Sequence, residues 1–324
     1  MSVLAFGGIE RVFEEVSRAN FDATIMNKSE VLDRCRYFRD VQLWPLADKL
    51  DYEAWINNFA EGEEQEIASR ILGFFTYFPD TLMNQMLSTV VGKCGYFLKQ
   101  VRGNWSHEQF KTNCWFSFVP GENLKTTDSG YIFQRKLRDV LKIPEERLVD
   151  YKDLCHQLSA NYCQNVIMVD DFVGSGQQTD TAWNTPNSYG TLKQIAKKNN
   201  HCIIYAPLVV NKLGKELIEE NCEGLRLEYV HLLTEECCLF SPNCPCWEGR
   251  RDIYEKAMNL ILKKSKLLGI SDTEEGSETY YQGYCKQGLA IGFEHGIPDA
   301  CPPFMYWDTE NWKPLMNRVY KRTN

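Results

Sequence analysis

From Cys114 onward the chain alternates between two textures, and no other feature of the sequence restricts the fold as much. Short apolar runs rich in β-branched and aromatic residues (CWFSFVPG, NVIMVDDF, HCIIYAPLVV, LRLEYVHLL) are separated by stretches with helical spacing: SGYIFQRKLRDVLKI, TLKQIAKKNN and KELIEENCEG. A strand, a helix and another strand in succession need a crossover, and crossovers make strands parallel. The sequence therefore predicts an α/β fold: a mainly parallel sheet of about five strands, flanked by helices. In such sheets a ligand sits beyond the carboxyl ends of the strands, near a switch in strand order.

The run Val166–Val169 is apolar on both faces, as a central strand must be, and it ends in Asp170 and Asp171. Adjacent carboxylates repel unless something hydrogen-bonds or neutralises them; sugar hydroxyls or a metal would do both. Alternate strand residues point to opposite faces, so the two acids need not share one task. Gly174, Ser175, Gly176, Gln177 and Gln178 follow, leading into a helical segment. Glycines permit positive φ and close backbone approach, and successive N–H groups at a helix N-terminus make a phosphate site. The pattern points to a sugar phosphate, with carboxylates on ribose hydroxyls, loop amides on the 5′-phosphate and Ser175 as an added donor. Acids at a strand end also serve as helix N-caps, which is the plainer role for the pair.

Residues 1–100 read as a helical region and 101–324 as the α/β part with a C-terminal extension. EGEEQEIASRILGFFTYF has acids in its first turn and Ile67, Ile71, Phe74, Phe75 and Phe78 on one side, which predicts one helix through Phe78. GLAIGFEHGIPDACPPFMYW reads as a strand, a Pro-rich loop and a second short strand. The formal net charge is −8, from 36 basic and 44 acidic residues, the reverse of a protein that coats nucleic acid through its backbone. No run approaches the roughly 20 apolar residues that span a bilayer. MSVLAFGGIERVFEE lacks the basic start of a signal peptide, so a cytoplasmic location is expected. The 13 cysteines are then expected as reduced thiols. Cys237, Cys238, Cys244 and Cys246 depart from the C-x-x-C spacing of zinc sites, so they are expected as a thiol-rich loop rather than a metal centre.

VIMVDDFVGSGQQ resembles the phosphoribosyl-pyrophosphate (PRPP) motif of type I phosphoribosyltransferases: a hydrophobic run, two acids, two hydrophobics and a Thr/Gly-rich loop. Asp170 and Asp171 match the acids, and Gly174 through Gln178 match the loop. More narrowly, the chain is similar to phosphoribosyltransferase-like proteins of bacterial conflict systems. Some of these accompany retrons, the reverse transcriptase units of antiphage defence. This similarity covers most of the chain, including WINNF at Trp55–Phe59 and PFMYW…NWKPL at Pro303–Leu315.

The resemblance implies a type I phosphoribosyltransferase-like sheet preceded by a helical region. It implies PRPP or a nucleotide as ligand, Mg²⁺ as cofactor, and Asp170 and Asp171 as the catalytic acids. The implied partner is a defence-system component such as a reverse transcriptase–nucleic acid complex. A second loop in the resembled fold holds the pyrophosphate, and here Lys125, Ser129, Gly130 and Arg135 would serve. Terminal segments form a hood over the base, where Glu294 or His295 would make contact; the two could equally form a structural pair. Where the family's loop carries hydroxyl residues, this chain has Gln177 and Gln178, with Thr179 one step later. That departure leaves two outcomes open: turnover at the anomeric carbon, or a catalytically inactive sensor or interaction subunit.

Overall fold

The computed structural model describes residues 27–103, 106–120, 129–273 and 280–318. Helices α1 (Lys28–Asp40), α2 (Tyr52–Ile56) and α3 (Glu63–Phe74), strand β1 (Thr76–Phe78), and helices α4 (Asp80–Arg102) and α5 (His107–Asn113) precede β2 (Cys114–Phe118). Helices α6 (Ser129–Asp139) and α7 (Tyr151–Ala160) lead to β3 (Asn165–Val173). Then come α8 (Gln177–Asn184), α9 (Leu192–Lys198), β4 (Cys202–Asn211), α10 (Lys212–Asn221), β5 (Arg226–Leu227), β6 (His231–Leu233), α11 (Arg251–Leu267) and β7 (Ile291–Phe293). The main sheet has the order β2-β3-β4-β5, with β6 also on β4, and every pairing is parallel. The expected α/β architecture is what the chain adopts.

β3 and β4 form the centre because both are apolar on both faces. Ile167 and Val169 face a core cluster with Val90 and Val91 of α4 and Phe133 and Leu137 of α6. Val166 and Met168 face the opposite cluster, built by Leu154 of α7, Trp183 of α8, Ile195 of α9 and Ile218 of α10. Each fully buried aliphatic side chain contributes about 1.5–3 kcal/mol, so a strand that is covered twice anchors the fold.

Four elements depart from the sequence reading. β3 continues past the acids to Val173, because Phe172 and Val173 still pair with Val209 and Val210. Asp170 and Asp171 are thus inside a strand rather than at its end. LRLEYVHLL divides into β5 and β6, which pair with Ile204–Tyr205 and Val209–Asn211. The gap lies opposite Pro207, which has no N–H to donate to a ladder. The long helix expected through Phe78 stops at Phe74. TYF instead pairs with IGF as β1–β7, and Pro79 favours extended backbone at Phe78. After the Pro-rich loop the expected second strand is a 3₁₀ turn at Pro303–Met305, where Pro302 and Pro303 withhold two donors.

The β1–β7 pairing ties the helices before residue 100 to the C-terminal segment. WINNF and PFMYW…NWKPL pack on each other: Trp55 and Trp312 both donate to the Phe304 carbonyl, at 3.2 and 2.9 Å. The rings of Phe59 and Trp312 meet edge-on at 5.3 Å. All 13 cysteines are free thiols, with Cys244 and Cys246 buried and Cys237 and Cys238 half-buried. Among the described residues no helix is long and apolar enough to cross a membrane.

Candidate functional site

The pleat of β3 sends its two acids to opposite faces of the sheet. Asp170 points to the α7–α10 side and is buried. Its Oδ1 accepts the Asp171 backbone N–H at 2.9 Å, and its Oδ2 accepts the Tyr205 hydroxyl at 2.9 Å. Thr179 is also within hydrogen-bonding reach of that hydroxyl. Burial, with the neighbouring Asp171 charge in addition, pushes the Asp170 carboxyl well above its usual range. Asp171 points the other way, toward the C-terminal segment, where its Oδ2 lies 2.5 Å from His295 Nε2. Burial alone would raise this carboxyl, but the imidazolium reverses that and holds it well below the usual range. In turn Asp171 raises His295 against the opposing effect of burial. The His295 ring stacks on Phe293 at 5.6 Å, and its Nδ1 is buried without a protein partner.

Between β3 and α8 the loop is seated on the first turn of α10. Gly176 has φ +80°, and a β-carbon there would come within 2.8 Å of the Gly214 carbonyl. A β-carbon on Gly214 would lie 2.5 Å from the Gly174 carbonyl. Only glycine fits both places, and the contact brings the N-terminal ends of α8 and α10 together. Helix N-termini leave N–H groups without intrahelical partners and carry positive partial charge. Ser175 Oγ accepts the Gln177 backbone N–H at 3.4 Å. Gln177 accepts the Tyr284 hydroxyl through its side chain, and Gln178 is exposed. Thr179, the next residue along, turns inward and is buried.

The C-terminal segment covers β3 and this loop at three points: Tyr284 on Gln177, Gln287 beside Gly174, and His295 on Asp171. Gln287 is buried and bridges Asn211 Nδ2 at 3.0 Å and the Tyr284 carbonyl at 3.0 Å. The turn between them holds Cys285 and Lys286 at φ +51° and +57°, left-handed conformations that non-glycine residues rarely take.

The remaining candidates are scattered. Lys125 lies outside the described residues, as does the side chain of Ser129, whose backbone opens α6. Gly130 rests on β2: a β-carbon there would overlap the Phe118 ring at 2.1 Å. Arg135 is exposed and reaches Asp139 at 3.6 Å, one helical turn on. Glu294 is committed to the N-terminal region, with Oε1 2.5 Å from Lys49 Nζ in the turn before α2 and Oε2 accepting the hydroxyl of Tyr77 in β1 at 2.7 Å. His295 is the member of that pair that meets Asp171.

Sequence reasoning missed Tyr205, Lys136, Tyr284 and Gln287. Tyr205 carried a signal: a hydroxyl in a buried aliphatic strand needs a partner. Lys136 also carried one, since it lies three residues after Phe133 on the inward side of α6. It is ion-paired with Asp80, sits 2.8 Å from Asn84 Oδ1, and its charge acts on His295. Tyr284 and Gln287 lie in irregular sequence, where no periodicity marks orientation.

The sequence matches the PRTase-CE family over residues 52–318, which takes in α2 to α4, the sheet and the covering segment. The chain belongs to the PRTase-CE family. It is a phosphoribosyltransferase-like protein, and the match includes both the acidic pair and its loop. No curated protein matches it. Among the described residues of this PRTase-CE chain, no group of three or more His, Cys, Asp or Glu side chains forms a metal-holding set.

Proposed function

We propose that the chain holds a ribose 5-phosphate, as PRPP or a nucleotide, over β3, with chemistry at the anomeric carbon. Asp171 takes the ribose hydroxyls, and the amides from Gly174 to Gln178 take the 5′-phosphate. Asp170 holds the strand beneath them. The observation that carries this reading is the glycine contact, which brings two helix N-termini together one short loop away from an ionised carboxylate. Displacement of pyrophosphate and cleavage of a nucleotide bond both pass through an oxocarbenium-like state, which a nearby carboxylate favours. Since no protein cage for a metal is formed among the described residues, Mg²⁺ would arrive on the diphosphate oxygens and meet Asp171 through water. Its contribution there would be to neutralise the leaving group.

A sensor that binds without turnover is favoured by one observation: the Gln177 side chain, where the family's loop has a hydroxyl, is latched to Tyr284. The proposed setting for either activity is antiviral defence, with a reverse transcriptase–nucleic acid complex as partner. The support is the similarity of WINNF, DDFVGSG and PFMYW…NWKPL to conflict-system proteins. Calorimetric titration of the purified chain with PRPP and nucleoside monophosphates tests the ligand, and assay of pyrophosphate and free base tests turnover. Binding with product supports transfer or cleavage, and binding without product supports the sensor. No binding of any ribose 5-phosphate overturns both. Phage plating on cells carrying Asp171→Asn tests the setting: undiminished protection would remove the site from it.

A further inference from the structure

Outside the ribose site, a cavity of about 450 Å³ lies between α4, α5 and the turn that follows α6. It begins roughly 12 Å along α4 from the end that meets Lys136, at the helical rise per residue. Its walls are mostly hydrocarbon, Val91, Phe110, Val140, Leu141 and Ile143; of the hydroxyls of Ser88, Tyr96 and Ser106 that also line it, Ser88 Oγ donates to the Asn84 carbonyl and Ser106 Oγ accepts the Gln109 N–H. Phe110 does not fill it, because its ring is held edge-on against Phe116 at 5.9 Å. Gly92 lies on the wall, with nothing within 4 Å of where a β-carbon would be.

Among the described residues three cations border this space, Lys99, Lys111 and Lys142, and no carboxylate lines it. That is unusual in a chain of net charge −8. Two of the three are positioned: Lys111 Nζ donates to the Leu141 carbonyl and Lys142 Nζ to the Asp139 carbonyl, each at 2.7 Å. Each ammonium has three donors, so both retain capacity for a ligand. Asp139, the acid nearest in sequence, bonds Arg138 and Arg135 first, and the charge of Lys142 acts on it more weakly.

We propose that this cavity binds a free acyl carboxylate, its hydrocarbon body against Val91, Phe110, Leu141 and Ile143 and its anionic head among the three lysines. A nucleobase fits less well. Its donor and acceptor edges would lose water against Val91, Phe110, Leu141 and Ile143, and the Ser88 and Ser106 hydroxyls are already engaged with backbone groups, whereas a pocket that reads a base supplies convergent polar side chains. The charge of the rim selects an anion over a neutral amphiphile of the same length.

The test is calorimetric titration of the full chain with decanoate and with decanol. Saturable binding of decanoate is expected, with decanol weaker by about tenfold or more, the loss of one charged contact. Gly92→Leu fills the cavity from an open helix position whose propensity the change improves. It is expected to abolish decanoate binding and to leave PRPP binding and the unfolding temperature undiminished. Should that variant fold poorly, Lys111→Gln gives a second reading, with decanoate weakened about tenfold. Equal affinity for decanol, undiminished binding in folded Gly92→Leu, or no saturable decanoate binding would each overturn the proposal. Binding to phosphatidylglycerol vesicles without saturable decanoate binding would overturn it in favour of a membrane surface.

Discussion

On one side of β3 Asp170 is closed in; on the other, one residue later, Asp171 is held ionised toward the covering segment. Both Asp170 oxygens are taken by Tyr205 and a backbone N–H, and burial keeps its proton on far above the usual carboxylate range. Asp171 meets an imidazolium, with Lys136 acting from α6. The same chemical group therefore does opposite work, because the pleat gives each acid a different set of donors. A pair that reads as one acidic motif in sequence has two different surroundings in space, a neutral clamp within the sheet and a charged group on His295, although the two carboxyls still act on each other.

The strongest way to break this contrast is to neutralise each acid in turn. Asp171→Asn is expected to weaken PRPP or nucleotide binding about 100-fold, near the upper end for a hydrogen bond to a charged group. Asp170→Asn is expected to change it less than about threefold, since the asparagine oxygen still accepts the Asp171 N–H and its amide NH2 can donate to the Tyr205 oxygen in place of the bond that Tyr205 donated. Titration calorimetry on the two variants checks this, and equal losses would mean that both acids touch the ligand. Next in size is Tyr205→Phe, which leaves Asp170 Oδ2 without its donor inside the sheet. Stability should fall by about 1–3 kcal/mol in urea unfolding, with ligand affinity unchanged. An affinity loss as large as that of Asp171→Asn would show that the clamp and the site are one unit.

How far the sequence revealed this contrast depends on the range over which each signal acts. Strand alternation and the opposite faces of Asp170 and Asp171 follow from local periodicity, and both are present. The partners do not follow from it. His295 lies 124 positions from Asp171 in the chain, and Tyr284 lies 107 from Gln177. Pairing across such distances is set by how the C-terminal segment folds back, and that segment is irregular. The glycines were legible as a loop, but their packing on Gly214 was not: KLGKELI reads as a helix whether or not another backbone rests on its third residue. Similarly, FFTYF has helical spacing, and only its partner IGF makes it a strand.

A subtler test of the contrast uses pH, because the charged side titrates in a different window from the clamp. His295, with its folded pKa raised above the ordinary 6.5, stabilises the fold fully below about pH 6.5. That stability is lost as the pH climbs through the folded value, by at most about 1.4 kcal/mol per pH unit for one proton. Asp171, depressed, adds stability above about pH 4 that is lost as the pH falls through its folded value. Asp170, raised, behaves like His295 and loses stability as the pH rises. Asp170→Asn should therefore be more favourable relative to the native chain at pH 8.5 than at pH 5.5 in thermal unfolding. By NMR, His295 should titrate above 6.5 in the native chain and below it in Asp171→Asn, where burial remains and the counter-charge does not. A His295 titration that Asp171→Asn leaves in place would separate the two groups.

The smallest effect is expected at Glu294, and it sharpens the contrast because Glu294 and His295 are neighbours just as Asp170 and Asp171 are. Glu294 turns to Lys49 and Tyr77 and so joins the C-terminal segment to the turn before α2 and to β1, while His295 turns to Asp171. Burial would raise the Glu294 carboxyl, but its bonds from Lys49 and Tyr77 hold it below the usual range. Lys49 is half-exposed, so solvent screens the ion pair, and glutamine can still accept from Lys49 through its oxygen while its amide NH2 donates to the Tyr77 oxygen. Glu294→Gln is thus expected to cost less than about 1 kcal/mol in urea unfolding and to leave ligand affinity within about twofold. His295→Gln, one residue on, removes the counter-charge of Asp171 and should weaken ligand binding by more than that. If Glu294→Gln lowered affinity as much as His295→Gln, the covering segment would be acting as a single rigid lever, and the separation of the two residues into a tether and a site group would be wrong.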